Sequence, residues 1–144
     1  MVLKATHLLQ IFFSEKPHYK QVLRLLAWVW TLVIVLLCFI PSNEVPEVNI
    51  PFLDKYAHFI LFGGFAFLWL TSFRVFKKWQ LPLLFFIALC YGWLVEVLQG
   101  MLPLLGRSKD PMDILADGVG GLIGVISFYI GYTFYSKNKK EQTV

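Results

Sequence analysis

Asp54 and His58 lie four residues apart, Asp113 and Asp117 lie four apart, and Glu96 and Gln99 lie three apart. On a helix each of these pairs shares a face. An imidazole beside a carboxylate is the combination that general acid–base catalysis uses. His58 and Glu96 are therefore candidate catalytic groups, with Asp54 as the residue that orients His58. Lys55 and Arg107 carry the charge to grip a phosphate or carboxylate. Gln99, Asp110, Asp113 and Asp117 complete a candidate ligand-binding set. The same side chains admit a divalent metal, because His58, Glu96, Asp113 and Asp117 offer one imidazole and three carboxylates. No Ser/His/Asp set and no diagnostic catalytic signature accompanies them.

These groups must be positioned by a chain that is 58% hydrophobic and only 15% charged over 144 residues, with a mean hydropathy of +0.65. A soluble domain carries about 25% charged residues, so the solvent of this chain is lipid. Crossing a hydrocarbon core takes roughly 20 mostly apolar residues. Four runs qualify, at about 23–40, 56–73, 81–102 and 112–135. They predict an all-α integral membrane four-helix bundle. Residues 1–21 form a cytoplasmic N-terminal segment, in which VLKATHLLQIFF could lie along the inner interface as a short helix. Residues 137–144 belong to a charged tail, SKNKKEQTV, expected to be disordered. Cys38 and Cys90 have no metal-ligand spacing and read as small buried hydrophobes. Leu37, rather than a small residue, precedes Cys38, so neither a lipoprotein signal nor a removable signal peptide is expected.

Ten of the thirteen basic residues fall before the first run or at its very start (Arg24), between the second and third, or after the fourth. The positive-inside rule makes that side cytoplasmic, an N-in/C-in arrangement. The net charge of +4 is thus a matter of topology, and nucleic acid is not an expected partner. Seven of the nine acids fall in the opposite half. His58 lies roughly 6 Å below Asp54, Asp117 is again one turn below Asp113, and Glu96 is about 24 Å up the third helix. Three helices therefore place ionisable groups at one shallow depth beneath the outer face. A charge facing lipid costs several kcal/mol, so these faces should turn toward one another beneath the loop that carries Arg107 and Lys109.

Plainer readings stand beside these. Asp110, with Pro111 next and Asp113 three residues on, makes a capping-box-like helix start. Asp54 could simply favour the positive end of its helix. Glu96 could pair with Arg107 or Lys55 to hold helices together, and Glu44 and Glu47 suit a solvated loop. The glycines at 118, 120, 121 and 124, with Gly63 and Gly64, suit close helix packing and form no nucleotide-binding loop.

Asp54-Lys55-x-x-His58, Glu96-x-x-Gln99 and Arg107-x-x-Asp110-x-x-Asp113-x-x-x-Asp117-Gly118-x-x-Gly121, in this order at these helix ends, resemble the VanZ-like family over about residues 25 to 135. The family usually has Asn where this chain has Asp117, and an extra acid there demands a nearby cation or a proton. The resemblance implies a multi-pass protein of the bacterial cytoplasmic membrane, linked to resistance toward teicoplanin-type lipoglycopeptides, without a settled activity. Three functions are open. The first is a binder of a lipid head group, lipid-linked cell-wall precursor or lipoglycopeptide-type ligand. The second is a membrane enzyme, an acid/base or metal-assisted hydrolase or transferase, acting on a lipid or lipid-linked substrate at the outer face. An ion carrier is disfavoured, since the inner half lacks ionisable residues to complete a path.

Overall fold

In a computed structural model, which describes residues 9–44, 50–102, 104, 106 and 109–141, the chain is all-α. Four long helices follow one another: α1 (Pro17–Cys38), α2 (Leu53–Ser72), α3 (Gln80–Met101) and α4 (Pro111–Glu141). A 3-10 turn at Ser42–Glu44 follows α1, and residues 9–13 are helical, so the described part of VLKATHLLQIFF ends in a helical turn. Glu47 and Arg107 lie outside the described residues.

Helices α1, α3 and α4 are long and apolar enough to cross a membrane. The outward faces carry large apolar side chains such as Leu25, Trp28, Leu32, Phe86, Leu122 and Phe134. That is the surface a chain presents to lipid, whose tails are as apolar as leucine. The helix ends follow local chemistry. Pro17 opens α1 at its first position and Pro111 opens α4, where the missing N–H costs nothing. At 31 residues, α4 is about 46 Å long and outruns a core of about 30 Å. It continues through 136–141, part of the tail expected to be disordered. Lys139 and Lys140 in its last turn complement the negative end of the helix dipole and extend it.

The bundle is organised about α2, which packs most extensively against α4 and also contacts α1 and α3. Glycines set that principal contact. A Cβ on Gly120 would run into the carbonyl of Phe59, and one on Gly124 into the carbonyl of Gly63. A Cβ on Gly63 would in turn lie 3.1 Å from the carbonyl of Gly120. The two backbones touch, as small residues permit in membrane helices. Gly121 meets Ala88 of α3 at a comparable distance. Two apolar clusters surround this seam, one around Ile34, Phe62, Phe65 and Val95, the other around Phe13, Leu70, Leu84 and Phe128. Cys38 is buried in the first, as expected; Cys90 is exposed, because α1 and α3 scarcely touch. An apolar groove of about 520 Å³ lies there, lined by Trp28, Trp69, Cys90 and Tyr91 among others.

Candidate functional site

The ionisable residues meet at one end of the bundle, where α2 and α4 begin and α3 ends. His58, Glu96, Gln99, Asp113 and Asp117 are all buried, and Glu96 and Asp117 are 0% exposed. The i,i+3 and i,i+4 spacings read from the sequence thus face one another across three helices. Burial of this kind needs partners, since an isolated ionised group in an apolar medium is very costly.

The partners fall into an upper and a lower grouping. In the upper one, Lys55 Nζ donates to Asp54 Oδ2 at 2.7 Å and to Asp110 Oδ2, and lies 2.9 Å from Asp113 Oδ1. One ligand atom from each of Asp54, Asp110 and Asp113 lies within 4.8 Å of the other two, and one ammonium forms ion pairs with all three residues. In the lower grouping, His58 Nδ1 and Asp117 Oδ1 are 2.9 Å apart. Glu96 Oε2 accepts the backbone N–H of Asp110 at 2.8 Å. One ligand atom from each of His58, Glu96 and Asp113 also lies within 4.8 Å of the other two. Glu96 Oε1 and Asp117 Oδ2 are buried without a hydrogen-bond partner.

Local structure explains the placement. Asp110 caps α4, its Oδ1 accepting the N–H of Met112 at 2.8 Å. The reciprocal half of a capping box, a side chain reaching back to the N-cap N–H, is supplied by Glu96 from α3, where the sequence suggested Asp113. Asp110 lies outside the helices, and its hydrogen bond from Lys55 holds its carboxyl below the usual carboxylate range. At the start of α2, Phe52 takes a left-handed backbone with φ of 59°, uncommon for a bulky residue. The helix that carries Lys55 and His58 begins at the next residue. Room for Asp117 comes from Gly92, one turn below Glu96 on α3: a Cβ there would overlap the Asp117 carboxylate.

Several expected pairings are redistributed. His58 pairs with Asp117 of α4, whereas Asp54, its neighbour on the same helix, is largely exposed and pairs with Lys55. Glu96 bonds to a backbone amide. Gln99 Nε2 donates to the carbonyl of Cys38 at 2.7 Å, so its amide pins the end of α1 to α3. Arg107 falls outside the described residues. One buried charge was read only as a topology signal: Lys20, at the opposite end, donates to the carbonyls of Thr71 at 2.6 Å and Phe12 at 3.0 Å. Its position in the first turn of α1 carried no sign of this, since both acceptors are backbone groups of other segments.

No curated protein and no solved structure matches the chain. A family model described as VanZ/LLP1 matches residues 7–132. This stretch contains every residue of both groupings, and the chain belongs to the VanZ/LLP1 family.

Proposed function

We propose that this protein binds a polar head group at the outer leaflet of a bacterial cytoplasmic membrane, with α2 as a fourth crossing and both termini in the cytoplasm. The ligand class is a lipid head group, a lipid-linked cell-wall precursor or a lipoglycopeptide-type molecule. The observation that carries this reading is the surplus of acid. Asp54, Glu96, Asp110, Asp113 and Asp117 meet only Lys55 and His58 among the described residues. A purely structural layer would be expected to balance its charges, because each uncompensated charge held away from water costs several kcal/mol. Ionisable residues retained within membrane helices mark functional sites. A surplus of carboxylate calls for a ligand that arrives with positive charge, either its own ammonium or a metal ion.

A second reading, metal-assisted or acid–base catalysis on a lipid-linked substrate, draws support from the pairing of His58 with Asp117, in which the carboxylate orients the ring. One experiment separates the two. Cells expressing Glu96→Gln at unchanged membrane abundance are compared with wild type for teicoplanin susceptibility, alongside retention of lipid or precursor by the purified protein. A binder predicts weakened but residual protection and weakened retention. Complete loss of protection with retention intact would favour catalysis. Protection and retention both unchanged would sink the assignment of this layer as the site.

A further inference from the structure

The two groupings share the ligand atoms a cation needs, but they differ in what holds them. In the upper trio, Asp54, Asp110 and Asp113 surround the Lys55 ammonium, so the positive charge is supplied by the chain itself. In the lower trio, His58, Glu96 and Asp113, the ammonium reaches only the shared Asp113, and no lysine or arginine pairs with Glu96 or His58 among the described residues. Glu96 is completely buried there with Oε1 unpartnered, although its other oxygen is held by the Asp110 amide. His58 is held in a way that metal-binding imidazoles commonly are. With Nδ1 bonded to Asp117 at 2.9 Å, a neutral ring that donates from Nδ1 keeps its lone pair on Nε2, and a carboxylate behind the ring fixes its angle.

We infer that His58, Glu96 and Asp113 bind a divalent cation of the first transition row, with Asp117 as the residue that positions His58. An imidazole among the donors favours Zn²⁺- or Mn²⁺-class ions over Mg²⁺ or Ca²⁺, which take oxygen ligands. Donors about 2.1 Å from one metal stand roughly 3.4 Å apart in tetrahedral geometry, so the three side chains, within 4.8 Å of one another, need close by at most about 1.4 Å. Three protein donors leave a coordination position open. The layer's excess negative charge repels a bare phosphate, and the ion reverses that locally. On the head-group reading above, and resting on it, the open position takes an oxygen of a phosphate-bearing head group.

The test uses the full chain purified in detergent without phospholipid, with Mn²⁺ as the probe. Electron paramagnetic resonance should show the hydrated Mn²⁺ signal disappearing with a stoichiometry of one, and the bound ion coupled to an imidazole nitrogen. Zn²⁺ should displace it, a measurement that needs no variant. The nitrogen coupling should vanish in His58→Gln, and Asp117→Asn should weaken binding by about 10- to 100-fold. Absence of binding in the wild type, or binding with no nitrogen coupling, would overturn the inference. So would an ion lost in Asp54→Asn yet kept in Glu96→Gln, since that places it in the upper trio. Adding dioleoyl phosphatidylglycerol then tests the ligand separately. Phosphorus coupling to the bound Mn²⁺ supports the phosphate-bearing head group. Nitrogen coupling without it leaves the metal site standing and overturns the phosphate ligand.

Discussion

Each end of the bundle buries charge, but the two ends do so in opposite ways. At the end where α1 begins and α2 ends, a single Lys20 ammonium meets the carbonyls of Thr71 and Phe12. A cation at the C-terminal end of a helix satisfies groups that have no intrahelical partner and complements the dipole. Among the described residues, no buried side-chain oxygen or nitrogen there lacks a partner. At the opposite end, among the described residues, five carboxylates share one lysine and one histidine, and buried oxygens of Glu96 and Asp117 go unpartnered. Balanced burial is what holding helices together requires. Unbalanced burial is costly in the resting protein, and the cost is expected to be offset when a ligand arrives. On the proposed function, one end holds the helices together and the other binds.

Substitutions at the two ends should therefore differ in kind. The largest effect on stability is expected from Lys20→Met, which keeps the apolar stem but strands the buried Thr71 carbonyl. It should cost about 1–3 kcal/mol in thermal unfolding of the detergent-solubilised protein, with cellular function falling only as far as abundance does. Function lost at full abundance would break the contrast. Gly92→Ala comes next, because its methyl group overlaps the Asp117 carboxylate. Overpacking of this kind costs about 1–3 kcal/mol, and the carboxylate site should fail while the Lys20 contacts persist. Glu96→Gln should barely lower stability, or raise it by up to about 1 kcal/mol, since it removes one surplus charge yet can still accept the Asp110 amide. A marked fall in its unfolding temperature would place Glu96 on the structural side.

The smallest effect belongs to Asp110→Asn. Asn caps a helix as well as Asp does, so only the interaction with Lys55 is lost. Because that interaction depresses the carboxyl in the folded protein, its stabilisation is present above the ordinary carboxylate range and disappears as pH falls through the lowered value. The difference in unfolding temperature between wild type and Asp110→Asn should be small at neutral pH and close on acidification. Orientation is checked apart from stability: reporter fusions at the C-terminus and in the α1–α2 loop should report cytoplasm and exterior respectively. Both on one side would remove one of α2, α3 and α4 from the set of crossings.

Much of this was legible along the chain. Hydropathy placed the four helices, because a run of apolar side chains in lipid has no alternative to helix, although α1 already begins at Pro17 rather than at about 23. The spacing of Asp113 and Asp117, or of Glu96 and Gln99, settled which face each presents. The limits at the C-terminal side were less legible. Residues 136–141 remain helical although polar, since lysines near a helix C-terminus stabilise it without needing burial.

The sequence by itself determined that three helices bring ionisable groups to one end and that glycines line a close contact. Tertiary structure decided the partners. Asp54 is the local neighbour of His58, yet the ring turns to Asp117, because the backbone contact of Gly120 and Gly124 with α2 sets the rotation and height of α4. Gln99 is drawn to the Cys38 carbonyl for a similar reason: α3 passes the end of α1 at that level. Spacing within a helix fixes a face, but which groups meet across helices depends on rotation and register. Those are set by backbone contacts elsewhere in the bundle, far along the chain from the charges they align.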